Sequence, residues 1–402
     1  MEMAEDWPEP IVRVQTLADD GAVPERYIKP PSERPDLNPV TALATGSLPV
    51  VDLAGLSGGA EERLATMLAV SGACRDWGFF QVVNHGVSPE LMEGMREVWR
   101  SFFQLPMAEK QAYANSPKTF EGYGSRLGVK KGAILDWGDY FFLQLSPHSI
   151  RNYDKWPVLP ASLRYTYTHT HTHTRILLSA LSIVWMLGTD AEDASRAMTE
   201  AYGEELEKLC GVIKKVLSAT LGLDEGFLHR AFGEAGACVR VNYYPKCPQP
   251  DLTLGLSPHS DPGGMTVLLT DHNVKGLQVR KGDDDWITVE PVPGALIVNI
   301  GDQIQFTCVV GCGDKVASMT QVLTNATYKS VEHRVVVNAA TERLSVAFFF
   351  NPNDDLPIQP AAELVTPEAP PLYKRLTFKE YKLFMRMLGP GGKSHVDLVK
   401  ST

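Results

Sequence analysis

Residues 237–245 read ACVRVNYYP, and in them Val239, Val241 and Tyr243 alternate with Arg240, Asn242 and Tyr244. A period of two belongs to a β-strand whose faces meet different surroundings, here an apolar one and a polar one. Outward from this stretch the same signal recurs in MTVLLT (265–270), GLQVRK (276–281), DWITVEP (285–291), GALIVNI (294–300), YKSVEHRVVVN (328–338) and RLSVAFFFN (343–351), with turn residues between them. Many short strands at close intervals mean a barrel or a sandwich. Upstream the period is mostly helical. After the strand signals LPVVDL (48–53) and GFFQVVNHG (78–86) come patterns such as Leu206, Leu209, Ile213, Val216 and Leu217, the apolar face of a long helix, and Leu64, Met67, Leu68 and Cys74 share a shorter one. The expected fold class is therefore mainly β with a helical N-terminal part.

The chain divides accordingly. Residues 1–46, rich in Pro, Asp and Glu, read as an extended arm, 47–164 as a helical N-terminal domain, 197–236 as a long helix and connection, 237–352 as the barrel, and 353–402 as a terminal helix and tail placed to cover a barrel opening. Two stretches fit this plan badly. Residues 165–196 begin YTYTHTHTHT, a dipeptide repeat, and 306–321 (FTCVVGCGDKVASMTQ) interrupt a strand region; both read as insertions of translated intron. The other reading of His169, His171 and His173 is a metal-binding tract.

Composition narrows the function. Forty-four per cent hydrophobic content over 402 residues suffices for a large core, and a formal charge of −10 repels polyanions, so nucleic acid is not an expected partner. The opening MEMAEDWPEP lacks the basic then apolar pattern of an export signal, and Ile176–Gly188, the longest apolar run, falls short of the roughly 20 residues a membrane span needs. The expected location is the cytosol, with no membrane partner and with Cys74, Cys210, Cys238, Cys247, Cys308 and Cys312 as reduced thiols.

The chemistry concentrates in LSPHSDPGG (256–264). His259 and Asp261 are two apart and share a face if the segment is a strand, and His333 in YKSVEHRVVVN offers a third ligand. Two histidines and one carboxylate on one side of a metal, with the remaining positions open, suit a non-haem Fe(II) oxygenase. Ligand strength alone would not choose iron over zinc. Arg343 and Ser345 share a face of RLSVAFFFN and form a socket for a carboxylate, since Arg offers a planar fork of donors and Ser a hydroxyl. Arg240, Asn242 and Tyr244 are expected to face the same interior.

These residues resemble the plant-type 2-oxoglutarate and Fe(II)-dependent dioxygenases. The resemblance runs through DWGFFQVVNHGV, VNYYPKCPQPDL, GLSPHSDPGGMTVLL, VNIGDQIQ, YKSVEHRVVVN and RLSVAFFFNP. Within that family EPIVRVQTLADDGAVPERYIKP, EGYGSRLGVKKGAILDWGDYFFLQLSPH and the tail PPLYKRLTFKEYKLFMRMLGPGGKSHV look most like jasmonate-induced oxygenases. The resemblance implies a double-stranded β-helix (jelly-roll) core, iron on His259, Asp261 and His333, and 2-oxoglutarate on Arg343, Ser345, Asn242 and Tyr244. It further implies hydroxylation of jasmonic acid with O2, 2-oxoglutarate leaving as succinate and CO2, and ascorbate as an accessory. For an apolar substrate with one carboxylate, Arg240 is the expected anchor, Lys382 or Arg386 a second positive charge, and Phe142 and Phe349 apolar walls. A flavonoid oxygenase of the same family and a hormone-binding barrel without turnover are the rival readings. The insertion at 306–321 lies close to the strand carrying His333, and an insertion that breaks strand pairing can displace a ligand by more than a metal site tolerates, leaving a poorly folded or inactive chain.

Overall fold

The computed structural model describes residues 6–36, 47–158, 194–272, 274–282, 285–306, 328–355, 357–358 and 376–389. Eight strands form one sheet in the order β1 (Val50–Asp52), β2 (Phe79–Val83), β10 (Leu296–Ile300), β7 (Met265–Thr270), β12 (Arg343–Asn351), β5 (Gly236–Tyr244), β4 (Asp139–Ser146) and β3 (Gly122–Gly124). Only β1 and β2 pair in parallel among these neighbours. A smaller antiparallel sheet runs β6 (Leu256–His259), β11 (His333–Val335), β8 (Leu277–Lys281) and β9 (Asp285–Thr288). Leu277, Val279 and Val289 meet Phe79 and Ile297 in one apolar cluster, which closes the small sheet onto the large one as a double-stranded β-helix.

Three long helices, α1 (Ala60–Asp76), α2 (Pro89–Gln104) and α3 (Ala194–Thr220), cover the outer face of the large sheet. Val239 and Val241 of β5, Val267 and Leu269 of β7, and Val346 and Phe348 of β12 bury against them, together with Leu206, Leu209, Ile213, Val216 and Leu217 of α3. That is the apolar half of the alternation in ACVRVNYYP, and the polar half is left to the barrel interior. Ser88 caps α2, its Oγ accepting from Leu91 N at 3.1 Å, and Pro89 fills the first turn where no N–H is needed. The expected face of α1 is rotated. Leu64 and Leu68 are 55% and 57% exposed, while Val70, Ala73 and Cys74 form the inward stripe, because an i, i+4 leucine pair marks a stripe without saying which way it points.

The half that reads as helical also supplies β1–β4 to the large sheet. Nor is the described part of the arm only draped over the surface. Val14, Val23 and Tyr27 join Trp137, Tyr244, Leu256 and Val335 in a second core behind the barrel interior. Buried Asp139 clamps the arm, its carboxylate accepting from Val14 N (2.9 Å), Gln15 N (3.0 Å), Tyr123 Oη (3.1 Å) and Ser125 Oγ (2.5 Å).

The terminal helix α4 (Phe378–Leu388) starts with a Thr377/Glu380 capping box and ends at Gly389, whose φ is +79°. There it meets Gly128 (φ +73°). A Cβ on Gly128 would lie 2.7 Å from Gly389 Cα, so the contact requires glycine on grounds of both space and dihedral.

The suspected insertions fall outside the described residues except at their edges, and so do His169, His171, His173, Cys308 and Cys312. Ala194–Arg196 already belong to α3, and Phe306 ends a short helix from Asp302. Cys74, Cys210, Cys238 and Cys247 are buried, free thiols.

Candidate metal centre and adjoining cavities

His259 ends β6, His333 begins β11, and the two are directly paired in register. Asp261 is not on the strand as the spacing suggested: β6 stops at His259, and Asp261 lies two residues beyond, where Pro262 and Gly263 turn the chain. The three side chains converge all the same. Both histidine Nε2 atoms are 3.7 Å from Asp261 Oδ1, and the three potential ligand atoms lie within 4.8 Å of one another. His333 keeps its place beside His259 and Asp261 in this arrangement.

The donor set fits a divalent metal. His259 Nδ1 lies 2.9 Å from Ser257 O and His333 Nδ1 3.3 Å from Val331 O. A carbonyl oxygen can only accept, so each Nδ1 carries the proton and each Nε2 presents its lone pair to the centre. Asp261 is oriented in the same way: Thr266 Oγ1 (2.5 Å) and Asn299 Nδ2 (2.8 Å) donate to Oδ2, which leaves Oδ1 toward the histidines. Burial and the neighbouring His333 push His259 down to about 4, favouring the neutral form that a metal needs. Burial alone would raise Asp261, but the two histidines and the bonds from Asn299 and Thr266 hold its carboxyl below the usual range.

Two cavities meet at this point. The inner one is lined by Asn242, Tyr244, Arg343, Ser345, Asn299 and Leu277, and both cavities share Arg240, His259, Asp261 and Phe349. Strand register builds it, since Arg343 pairs with Tyr244, Ser345 with Asn242 and Ala347 with Arg240 across β12 and β5. Arg343 is buried, with its Nη1 3.5 Å from Ser345 Oγ, its guanidinium 5.5 Å from the centre of the Tyr244 ring, and a buried Nε that has no hydrogen-bond partner. Burial lowers its pKa. A buried guanidinium with an orphaned N–H is costly unless an anion completes it, so these residues fit the distal carboxylate of 2-oxoglutarate.

The outer cavity, about 220 Å³, is mostly apolar and is lined by Phe120, Leu127, Phe142, Phe349, Phe378 and Met385 among others. Phe142 sits opposite Arg240 in register. Its cations rest on aromatic faces: Arg240 lies 4.1 Å from the Tyr140 ring centre and Arg386 lies 4.2 Å from that of Phe120. Tyr140 is itself fixed, donating to Arg126 O (2.9 Å) and accepting from Asn115 Nδ2 (2.8 Å). Phe120 holds a left-handed backbone, φ +56°, which is unfavourable for a non-glycine residue and places its ring under Arg386. Neither Arg240 nor Arg386 has a carboxylate within ion-pair distance among the described residues, and Arg240 Nε is buried without a partner. Lys382 also lines this cavity, but its Nζ pairs with Asp354 Oδ1 at 2.6 Å, so its charge is already answered.

Sequence reasoning thus found the polar groups and missed several walls. Phe378 shares the helical stripe of Lys382, Met385 and Arg386, and that spacing alone would have found it. Phe120 and Leu127 sit in an irregular segment with no period to read, and the contribution of Asn299 depends on a sheet neighbour 38 residues from Asp261.

Comparison with known proteins agrees with the geometry. The family model of the 2OG-Fe(II) oxygenase superfamily matches residues 235–352, and that of the non-haem dioxygenase in morphine synthesis N-terminal matches 48–158. Jasmonate-induced oxygenase 2 of Arabidopsis thaliana is 52% identical over 400 residues, covering 98% of this chain and 94% of that protein. Jasmonate-induced oxygenase 1 of the same plant is 50% identical, covering 98% and 88%. The crystal structure of JOX2 in complex with 2OG, Fe and JA superposes with a TM-score of 0.79 at 50% identity, covering 99% of this chain and 100% of that one. By its sequence, its fold and the side chains gathered at the junction of its two cavities, this chain belongs to the 2OG-Fe(II) oxygenase superfamily.

Proposed function

We propose that this chain hydroxylates a small apolar carboxylic acid, jasmonic acid, at the expense of 2-oxoglutarate and O2. The observation that carries the substrate class is the pair Arg240 and Arg386, two cations without a carboxylate at ion-pair distance among the described residues, in a mostly apolar cavity that opens onto the metal centre. Burial depresses the pKa of both guanidiniums, and a bound carboxylate would offset that cost. The relatives named jasmonate-induced oxygenases support the choice of acid.

In this reading His259, Asp261 and His333 hold Fe(II), while Arg343, Ser345, Asn242 and Tyr244 hold 2-oxoglutarate. When bound there, iron and cosubstrate would supply the oxidising power, with 2-oxoglutarate and O2 consumed and succinate and CO2 released, and ascorbate would serve as the accessory reductant. The protein's own part is positional. Arg240 and Arg386 fix one end of the substrate, Phe142, Phe349 and Phe378 confine its apolar body, and a chosen C–H bond is thereby held beside the metal with water kept out. Lys382 assists only if it leaves Asp354. No described helix is long and apolar enough to cross a membrane, and we place the protein in the cytosol.

The test is succinate release by purified protein given Fe(II), 2-oxoglutarate, ascorbate and O2, with jasmonic acid, a flavonoid or no substrate. Stimulation by jasmonic acid and a product heavier by one oxygen are expected. Stimulation by the flavonoid alone would overturn the substrate assignment, and silence with every substrate would overturn the activity.

A further inference from the structure

The terminal helix α4 presents Phe378, Lys382, Met385 and Arg386 to the outer cavity. Tyr381 is fully buried, and the proposed function gives it no task. Its Oη donates to Asp302 Oδ2 at 2.7 Å, and Asp302, also fully buried, donates its backbone N–H to Asp261 O at 2.8 Å. The neighbours of Asp302 reinforce that junction. Gly301 N donates to Gly264 O (2.8 Å), Gln303 N to Gly263 O (2.9 Å) and Gln303 Nε2 to Pro262 O (2.8 Å). Residues 301–303 are thereby fastened along 261–264, the turn that presents Asp261 to the two histidines. Two hydrogen bonds in series join the helix bearing Arg386 to the backbone of the carboxylate at the metal centre.

We propose that Tyr381 is a positioning residue that couples occupation of the carboxylate end of the outer cavity to the metal-holding turn. The inference rests on the function proposed above. A carboxylate on Arg240 and Arg386 restrains α4, α4 restrains Tyr381, and Tyr381 through Asp302 restrains the turn 261–264. Coupling between two sites is reciprocal, so substrate tightens metal binding by the same factor by which metal tightens substrate binding. Direct attraction between substrate carboxylate and metal contributes part of this factor and does not pass through Tyr381. Only the remainder is sensitive to the phenolic O–H.

The experiment uses the full chain and Mn(II), a redox-inert probe, titrated with saturating 2-oxoglutarate and followed by the spin-resonance signal of free Mn(II), with and without jasmonic acid. In Tyr381→Phe, which keeps the ring and loses the hydroxyl, Mn(II) affinity without jasmonic acid should be unchanged. The tightening produced by jasmonic acid should fall by about fivefold or more, the lower end of ordinary coupling factors. Asp302→Asn, whose amide oxygen still accepts from Tyr381, should behave as the parent chain does. Full tightening in Tyr381→Phe, or an equal loss of Mn(II) affinity with and without jasmonic acid, would overturn the proposal; the second outcome would mark a merely structural role.

The metal alone probes the same link from its other end. Mn(II) should slow amide hydrogen exchange in residues 378–388 of the parent chain and not in Tyr381→Phe. If the parent shows no such slowing, the coupling is wrong whatever the substrate. If it shows the slowing but does not respond to jasmonic acid, the coupling stands and the substrate assignment fails.

Discussion

The metal centre depends on single side chains that never touch the metal position. Asn299 donates 2.8 Å to Asp261 Oδ2 from β10, and Thr266 donates 2.5 Å to the same oxygen from β7. Removing such an orienting partner typically weakens metal binding ten- to a hundredfold, since the ligand then samples orientations that miss the metal. Asn299→Ala should therefore lose about that much Mn(II) affinity in a titration while retaining its thermal unfolding temperature within a few degrees; undiminished affinity would mean that Thr266 alone orients the carboxylate. At this scale the sequence was informative about chemistry and silent about support. The HxD spacing and the later His333 point to the candidate ligands that the fold brings together, and Arg343 and Ser345 to a candidate anion socket. By contrast, the ion pair that occupies Lys382 joins residues 28 positions apart, a partnership that no local pattern announces.

Among the elements, the arm packs behind the inner cavity, against its lining residues Tyr244, Leu256 and Val335, while the terminal helix lines the outer cavity. The arm is held through Asp139, which accepts four hydrogen bonds inside the protein, two of them from the backbone of Val14 and Gln15. Asp139→Ala leaves those donors unpaired, at roughly 1–3 kcal/mol for each buried group that water cannot reach. The expected result is a loss of at least about 3 kcal/mol in urea unfolding, with cleavage of the arm near residue 14 under limited proteolysis; an arm that stays protected would show that its apolar contacts with Trp137 and Tyr244 suffice. Periodicity gave the existence and type of the long elements, as in α3, where the five residues of the expected face all point inward and are joined by Met198, Tyr202 and Cys210. It misdirected α1, where Leu64 and Leu68 point outward, and passed over β3 and β4, which lie in a segment full of glycine and charge. β4 exists because β5 offers it an edge, and β3 because β4 does in turn, conditions no local pattern records.

For the molecule as a whole, the decisive feature is where the ends of the suspected first insertion meet. Ser195 Oγ donates to Pro157 O at 2.8 Å and Arg196 Nη2 to Trp156 O at 3.2 Å, so the described residues on either side of 159–193 lie against each other. A connection with its ends already together can be shortened at little cost, closure becoming easier by about 0.6 kcal/mol per halving of length. Deleting residues 165–193 should accordingly leave Mn(II) binding intact and hold or slightly raise the thermal unfolding temperature. A deletion variant that fails to fold would show that the segment belongs to the core. Taken alone, the sequence determined the class of fold, the three metal-binding candidates and the anion socket, because strand periodicity and ligand chemistry are local properties of residue order. The tertiary structure decided which cations in the outer cavity lack a carboxylate partner among the described residues, which walls line it, and how α4 is tied to Asp261. Each of these depends on contacts between residues distant in the chain, set by strand register and by the packing of the described arm and α4 against one barrel.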